Sequence, residues 1–229
     1  RCTEAHSPRI KPLPPDLVAT RETGPMRLLL VRHAETRLNA ARVLQPPDTP
    51  LSERGHAQAA ALAQRLRDEP LAALWSSDLT RAWQTAQAVA LACRLPVVSE
   101  PLLQERNFGD LRGRAYDSLG FDPLALQSAP PGGESVAAFE ARVDAAFVQA
   151  LAAARASRGT VVVVTHGLVI HSLLARRLAL PAGATLPPRI ANTSVTVVED
   201  GVPPRATRVD CTAHLGGAQA DDPLALSGG

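Results

Sequence analysis

The stretch Arg27-Leu28-Leu29-Leu30-Val31-Arg32-His33-Ala34-Glu35-Thr36 decides the fold. Four consecutive apolar residues run into an arginine, a histidine and then small or polar residues. A short apolar run bounded by polar residues suits a strand buried on both faces. Such a strand ends at Arg32 and His33, so its carboxyl end presents a cation and an imidazole. In open α/β sheets ligands bind at that edge. Taken alone, the stretch reads equally well as a buried strand followed by two surface polar residues.

Working outward, two further apolar runs end the same way. Leu71 to Trp75 leads into Ser76-Ser77-Asp78, and Val161 to Val164, β-branched throughout, leads into Thr165-His166-Gly167. Val97-Val98 is a short third candidate. Helical segments lie between them. Ser52 is a good N-cap for a segment dense in Ala, Leu, Gln and Arg that Glu69-Pro70 stops. A second helix spans about Leu79 to Cys93, and a third about Ser135 to Ala156, with Val136, Phe139, Val143 and Phe147 at helical spacing. A fourth follows His166 to about Leu180. Val195 to Val198 and Arg205 to Val209 suit two late strands around the Asp200-Gly201 turn. The alternation predicts an α/β fold, a mostly parallel central sheet with helices on both faces. Three strand ends then share one edge, carrying Arg32-His33, Ser76-Ser77-Asp78 with Arg81 just inside its helix, and His166.

The connections are read as follows. Thr36 to Ala41 makes a short helical turn, and Arg42 to Pro50 a loop. Gly55 and Pro46-Pro47 are turn residues, and Glu105 to Pro131 is mostly irregular. Residues 1–25 are Pro-rich and without periodicity, and little fixed structure is expected there. Met26, the sole methionine, is either the natural start or the end of a genuine extension. One domain is expected over residues 26–215, with a flexible tail over 216–229.

Composition narrows the functional classes. A length of 229 residues suffices for one α/β domain, and 45% hydrophobic with 3% aromatic residues means a core of Leu, Val and Ala. A net charge of +2 argues for neither nucleic acid nor an anionic membrane. Cys2, Cys93 and Cys211 are far apart and form no metal-ligand spacing or disulfide framework. No run is long enough to span a bilayer, and no signal-peptide h-region is visible. The expected setting is reducing and cytoplasmic.

The motifs now point to a family. Leu30-Val31-Arg32-His33-Ala34-Glu35-Thr36 resembles the Arg-His-Gly-Glu/Thr signature of the histidine phosphatase superfamily, the phosphoglycerate-mutase-like proteins. Pro50-Leu51-Ser52-Glu53-Arg54-Gly55 with Gln58-Ala59 is similar to the next block. Ser76 to Ala86, Gly132-Gly133-Glu134-Ser135 and Val164-Thr165-His166-Gly167 complete the set in the family's order, over roughly Arg27 to Val198. Ala34 departs from the usual glycine, which matters only if the backbone needs positive φ there. The resemblance implies a phosphoglycerate-mutase-like three-layer sandwich and the phosphatase branch. It implies a substrate region reached by Asn39 and Gln45, and no cofactor or metal.

The chemistry stands beside the resemblance. A neutral imidazole has a ring nitrogen with a free lone pair and can be a nucleophile. Attack on phosphorus needs compensation for charge on three non-bridging oxygens, and arginine supplies planar, permanent cationic donors. His33 is the candidate nucleophile, with Arg32, Arg81 and His166 around the phosphate and the Gly167 N–H as a further donor. Side chains of neighbouring strand residues point to opposite faces, so Arg32 and His33 share one phosphate only if the backbone turns at His33. Glu105 is the candidate general acid and base, with Glu100 and Asp110 as rivals. A structural histidine capping the helix is the plain alternative for His166. His6, His56, His171 and His214 match no motif.

The expected function is phosphomonoester hydrolysis through a phosphohistidine on a small phosphorylated metabolite, with a homodimer as an option. The alternatives are a phosphoglycerate-mutase-type phosphoryl transferase, a metal hydrolase on His33, His166 and Glu105, and a non-catalytic phospho-ligand binder. Arg112 and Arg114 hint at a second anionic group on the substrate.

Overall fold

A computed structural model describes residues 26–157 and 159–217. The expected extension over 1–25 and the tail from 218 onward lie outside the described residues. Leu28 to Val31 form the centre of strand β1 (Arg27–Arg32) and are each at most 1% exposed. The sheet also contains β2 (Leu71–Ser76), β3 (Val97–Ser99), β4 (Thr160–Thr165), β5 (Val195–Glu199) and β6 (Arg205–Cys211), in the order β3-β2-β4-β1-β5-β6. β3, β2, β4 and β1 run parallel, while β5 is antiparallel to both neighbours, β1 and β6. The mostly parallel sheet is therefore as expected, with β5 the one reversed strand.

Among the described residues five α-helices accompany it: α1 (Arg37–Ala40), α2 (Glu53–Leu66), α3 (Thr80–Cys93), α4 (Val136–Ala156) and α5 (Gly167–Arg176). Alternate strand residues face opposite layers. Leu28, Leu30, Val161 and Val163 belong to one core with Phe139 and Val143 of α4 and Ile170 of α5. Leu29, Val31, Val162 and Val164 belong to the other, with Leu62 and Leu66 of α2 and Val89 of α3. Each fully buried Leu or Val stabilises by roughly 1.5–3 kcal/mol, which is why the central strands read as unbroken apolar runs.

Two expectations are corrected. The helix after His166 stops at Arg176, not near Leu180. The apolar spacing continues through Leu178, but Ala179 leaves to pair with β6, donating to Pro204 O at 2.9 Å and accepting from Ala206 N at 2.9 Å. Tertiary pairing there overrides helix propensity. Gly55, read as a turn residue, sits inside α2. A Cβ at that position would lie 2.0 Å from Glu35 O, so only glycine lets the helix approach the chain leaving β1. Ser52 caps α2 through Gly55 N, and its hydroxyl donates to Glu35 Oε1 at 2.7 Å. Arg54 pairs with Glu35 Oε2 at 2.9 Å.

The irregular segment is built of short 3₁₀ turns at Pro101–Leu103, Gly109–Leu111, Tyr116–Ser118 and Pro123–Ala125. Its apolar residues Leu111, Leu119 and Leu124 pack against buried Leu44 and Phe108. Among the described residues no helix is long and apolar enough to cross a membrane.

Candidate active site

β1 ends at Arg32, and the next two residues are fixed by three neighbours. His33 N–H donates to Thr165 O at 2.9 Å, extending the ladder to β4 by one residue. Ala34 N–H donates to Thr85 Oγ1 on α3 at 3.0 Å. Asn192 Nδ2 donates to the His33 carbonyl at 2.9 Å. The sequence required a turn here, and Arg32 and His33 do converge on one buried cluster. Ala34 needs no glycine-like backbone. The described non-glycine residues with positive φ are Arg42, Arg94, Thr193 and Asp210. Ala34 is fully buried against Leu51 and Ala59, where a small side chain fits.

His33 is 1% exposed, and its Nδ1 lies 2.7 Å from Ala34 O. A carbonyl oxygen only accepts, so Nδ1 carries the hydrogen and the lone pair sits on Nε2. Burial, then the charges of Arg32 and Arg81, hold the His33 pKa well below its usual value. The ring is therefore neutral near pH 7 with one nucleophilic nitrogen.

Arg32 and Arg81 are each 1% exposed. Arg32 donates to Ile190 O at 2.5 Å, and Arg81, in the first turn of α3, to Pro46 O at 3.3 Å. Burial lowers the Arg81 pKa to about 10. Glu105 opposes that shift, and Arg32 and Arg112 add to it.

His166 follows β4 and occupies the N-cap position of α5 without a side-chain cap bond, so capping is not its role. Its Nε2 lies 2.9 Å from Ser77 Oγ, and its buried Nδ1 has no hydrogen-bond partner among the described residues. The His33 and His166 rings stand 5.2 Å apart between centroids. Burial, then Arg81, His33 and Arg32, keep the His166 pKa well below normal.

Glu105 is 3% exposed and enters the same cluster. Burial raises its pKa. The N–H groups of Arg106 and Leu168, followed by Arg81 and Arg32, pull the other way. Glu100 instead caps Leu102 N, and Asp110 is exposed, so neither rival joins the cluster. Glu105 is held in place by Arg142 of α4. That guanidinium donates to Leu102 O, Gln104 O and Glu105 O at 2.6–3.0 Å and also binds Glu134.

Asn39 and Gln45 are buried and share Thr36 as a partner. Asn39 forms a capping box with Thr36 and donates to Asn192 Oδ1 at 3.2 Å. Gln45 Oε1 accepts from Thr36 Oγ1 at 2.6 Å. Gly167 opens α5, where first-turn amides have no intrahelical acceptor. The neighbouring Leu168 N–H donates to Glu105 Oε2 at 3.1 Å.

Sequence reading missed Asn192, Thr85 and Arg142. Asn192 lies in Asn192-Thr193-Ser194, a fully buried polar triplet just before β5, and a polar run against an apolar strand is the signal that was present. Thr85 lies in the Ser76 to Ala86 block that the resemblance sets apart, without a role of its own there, and Arg142 sits inside a helical pattern with nothing to mark it.

The family model of the histidine phosphatase superfamily (branch 1) matches residues 28–202. The chain belongs to the histidine phosphatase superfamily. A probable phosphoglycerate mutase GpmB of Yersinia pestis (strain Pestoides F) is 37% identical over 184 residues, covering 76% of this chain and 85% of that protein. The solved structure of a putative alpha-ribazole-5'-P phosphatase from Escherichia coli K-12 superposes with a TM-score of 0.70 at 29% identity, covering 82% of this chain and 97% of the other. A mycobacterial glucosyl-3-phosphoglycerate phosphatase, solved with VO3, gives 0.68 at 30% identity, covering 82% and 100%. This histidine phosphatase thus has both phosphatases and a probable mutase among its relatives, in agreement with the phosphohydrolase reading of its sequence.

Proposed function

We propose that the protein is a metal-independent, cytoplasmic phosphomonoester hydrolase in which His33 is the nucleophile and Glu105 the general acid and base. The observation that carries this reading is the 2.7 Å contact from His33 Nδ1 to Ala34 O, which leaves the Nε2 lone pair inside the Arg32 and Arg81 cluster. In the first step His33 Nε2 attacks phosphorus. The ester P–O bond breaks, its electron pair leaves with the alcohol oxygen, and that oxygen takes the Glu105 proton. The raised pKa of Glu105 favours the protonated form this step needs. In the second step Glu105 takes a proton from water, whose oxygen attacks phosphorus. The P–N bond breaks and its electron pair returns to Nε2, releasing inorganic phosphate.

Arg32 and Arg81 neutralise the non-bridging oxygens, supplying positive charge that would also disfavour a divalent cation at the same place. When Ser77 Oγ donates to His166 Nε2, Nδ1 carries the proton and is the donor to phosphate. Gly167 N–H and Gln45 complete the proposed substrate set. Asn39 acts one step back, orienting Asn192 and through it the His33 carbonyl.

The test is phosphate release from p-nitrophenyl phosphate and 3-phosphoglycerate in the presence of a chelator. Release that survives chelation, without formation of 2-phosphoglycerate, is the expected result. Isomerisation in place of release would establish the mutase reading that the Yersinia relative's name suggests. Loss of activity on chelation would establish a metal hydrolase.

A further inference from the structure

Arg112 is partly buried at the end of the Gly109–Leu111 turn, and its side chain makes no hydrogen bond or ion pair among the described residues. Other arginines of the segment differ. Arg106 is spent on backbone, donating to Leu126 O and Ser128 O, and Arg114 is exposed. The carboxylate whose field Arg112 feels is Glu134, but both Glu134 oxygens are taken by Arg142 and one also by Asn107 N–H. With the neighbouring Glu134 carboxylate engaged by Arg142 and a second arginine close by, the Arg112 guanidinium is open to an incoming anion.

The backbone beneath Arg112 is firmly mounted. Gly109 has φ +51°, and a Cβ there would lie 2.0 Å from Pro131 O. Asp110 N–H donates to Pro131 O at 2.9 Å, and Gly113 N–H donates to Leu44 O at 2.6 Å. The bond to Leu44 ties the turn to the phosphate cluster. Two residues on from Leu44, Pro46 O accepts from Arg81. Arg112 is near enough to Arg81 for its charge to disfavour the protonated guanidinium.

We infer that Arg112 is a specificity-determining residue that binds a second anionic group on the substrate, so that the preferred substrates are phosphomonoesters carrying a carboxylate or second phosphate beyond the transferred one. The inference rests on the phosphatase reading above. The transferred phosphate already has Arg32 and Arg81, and Arg112 stands on a different element at its margin. A charge-assisted bond to an incoming anion would remove the like-charge cost and add a directional contact.

Two substrate pairs test it. 3-Phosphoglycerate and glycerol 3-phosphate differ by carboxylate against hydroxymethyl. Fructose 1,6-bisphosphate and fructose 6-phosphate differ by a second phosphate. Wild-type kcat/KM should favour the anionic member of at least one pair by ~10–100-fold, and the favoured pair identifies carboxylate or phosphate as the group bound. Arg112→Gln should collapse that ratio mainly through KM, and Arg112→Lys should restore part of it. Equal loss on both members of each pair would overturn the inference by placing Arg112 on the transferred phosphate or in folding. A wild-type ratio near one, or a ratio unchanged in Arg112→Gln, would also overturn it. No hydrolysis of the four by a wild type that turns over p-nitrophenyl phosphate would overturn this inference alone, and failure on p-nitrophenyl phosphate as well would overturn the phosphatase reading with it.

Discussion

Two neighbouring regions of this histidine phosphatase are built by different physics. At the carboxyl edge of the sheet, Arg32, His33, Arg81, Glu105 and His166 are each at most 3% exposed. All but Glu105 stand at a strand end or a helix start. In the adjoining segment Arg106 to Pro131, short 3₁₀ turns alternate with exposed residues such as Arg114 and Phe121. The first region is positioned by core packing, which costs many contacts to disturb. The second is positioned by a small cluster, Leu111, Leu119 and Leu124 on Leu44 and Phe108, and by backbone hydrogen bonds to Arg42 and Leu44. The proposed chemistry thus lies where the fold is most constrained, and the proposed Arg112 contact where the chain can vary at little cost to the main core.

The largest effect should come from the constrained region. His33→Ala should lower kcat with p-nitrophenyl phosphate by on the order of 10⁴-fold or more, because the nucleophile itself is removed. Retained turnover would move the chemistry away from β1 and dissolve the contrast between the regions. Glu105→Gln should cost about 10²–10⁴-fold on alkyl phosphates, whose leaving oxygen needs a proton, and clearly less on p-nitrophenyl phosphate. Because the raised Glu105 pKa means activity falls as pH climbs through it, the alkaline limb for alkyl phosphates should vanish in this variant. An equal loss on both leaving groups would count against the acid role.

Arg142 braces Glu105 directly and, through Glu134 and the Asn107 N–H, the start of the second region, so its removal should weaken both. Arg142→Ala leaves Glu134 without its ion-pair partner and frees the Leu102, Gln104 and Glu105 carbonyls. A loss of about 3 kcal/mol in denaturant-measured stability is expected. A kcat defect with the same leaving-group dependence as Glu105→Gln should accompany it. Stability loss without that dependence would show Arg142 to be structural alone.

The smallest effect expected is on acid stability. Folded-state pKa values are depressed for His33 and His166, and for His214 to about 4, in each case chiefly by burial. These groups contribute stability above their unfolded value of about 6.5 that is lost as pH falls below it. Glu105, with its raised pKa, works in the opposite sense and offsets part of that loss. The urea midpoint should therefore fall between pH 7 and pH 5, and His214→Gln should shallow the decline. A midpoint that rises on acidification would contradict this.

Much of the constrained region was legible in the sequence because burial on two faces forces unbroken apolar runs, and polar residues at their ends then stand out. Arg32, His33 and His166 follow from Leu28–Val31 and Val161–Val164 in that way. Glu105 is the sequence's candidate acid, but Glu100 and Asp110 stay rivals to it there. Its burial depends on Arg142 and Leu168, which lie far along the chain. The resemblance implies Asn39 at the substrate region; its bond to Asn192 is not legible in the sequence, because pairing over 153 residues leaves no local pattern. The overlong helix past Arg176 has the same cause, since the pairing of Ala179 with β6 is invisible to a helical period. The contrast between Arg112 and Arg114 is a matter of which side chain the Gly109 turn aims inward, and two arginines one glycine apart look alike in a sequence so rich in arginine.

The central claim is that the phosphoryl group passes through His33 Nε2. Wild-type protein mixed with a fast-leaving phosphoester, quenched in alkali within its first turnover and digested for tandem mass spectrometry, tests it directly. The account predicts an alkali-stable phosphate on the peptide containing His33, absent from His33→Ala. Phosphate on His166 or on any other residue, or turnover in His33→Ala with no phosphoprotein, would contradict it.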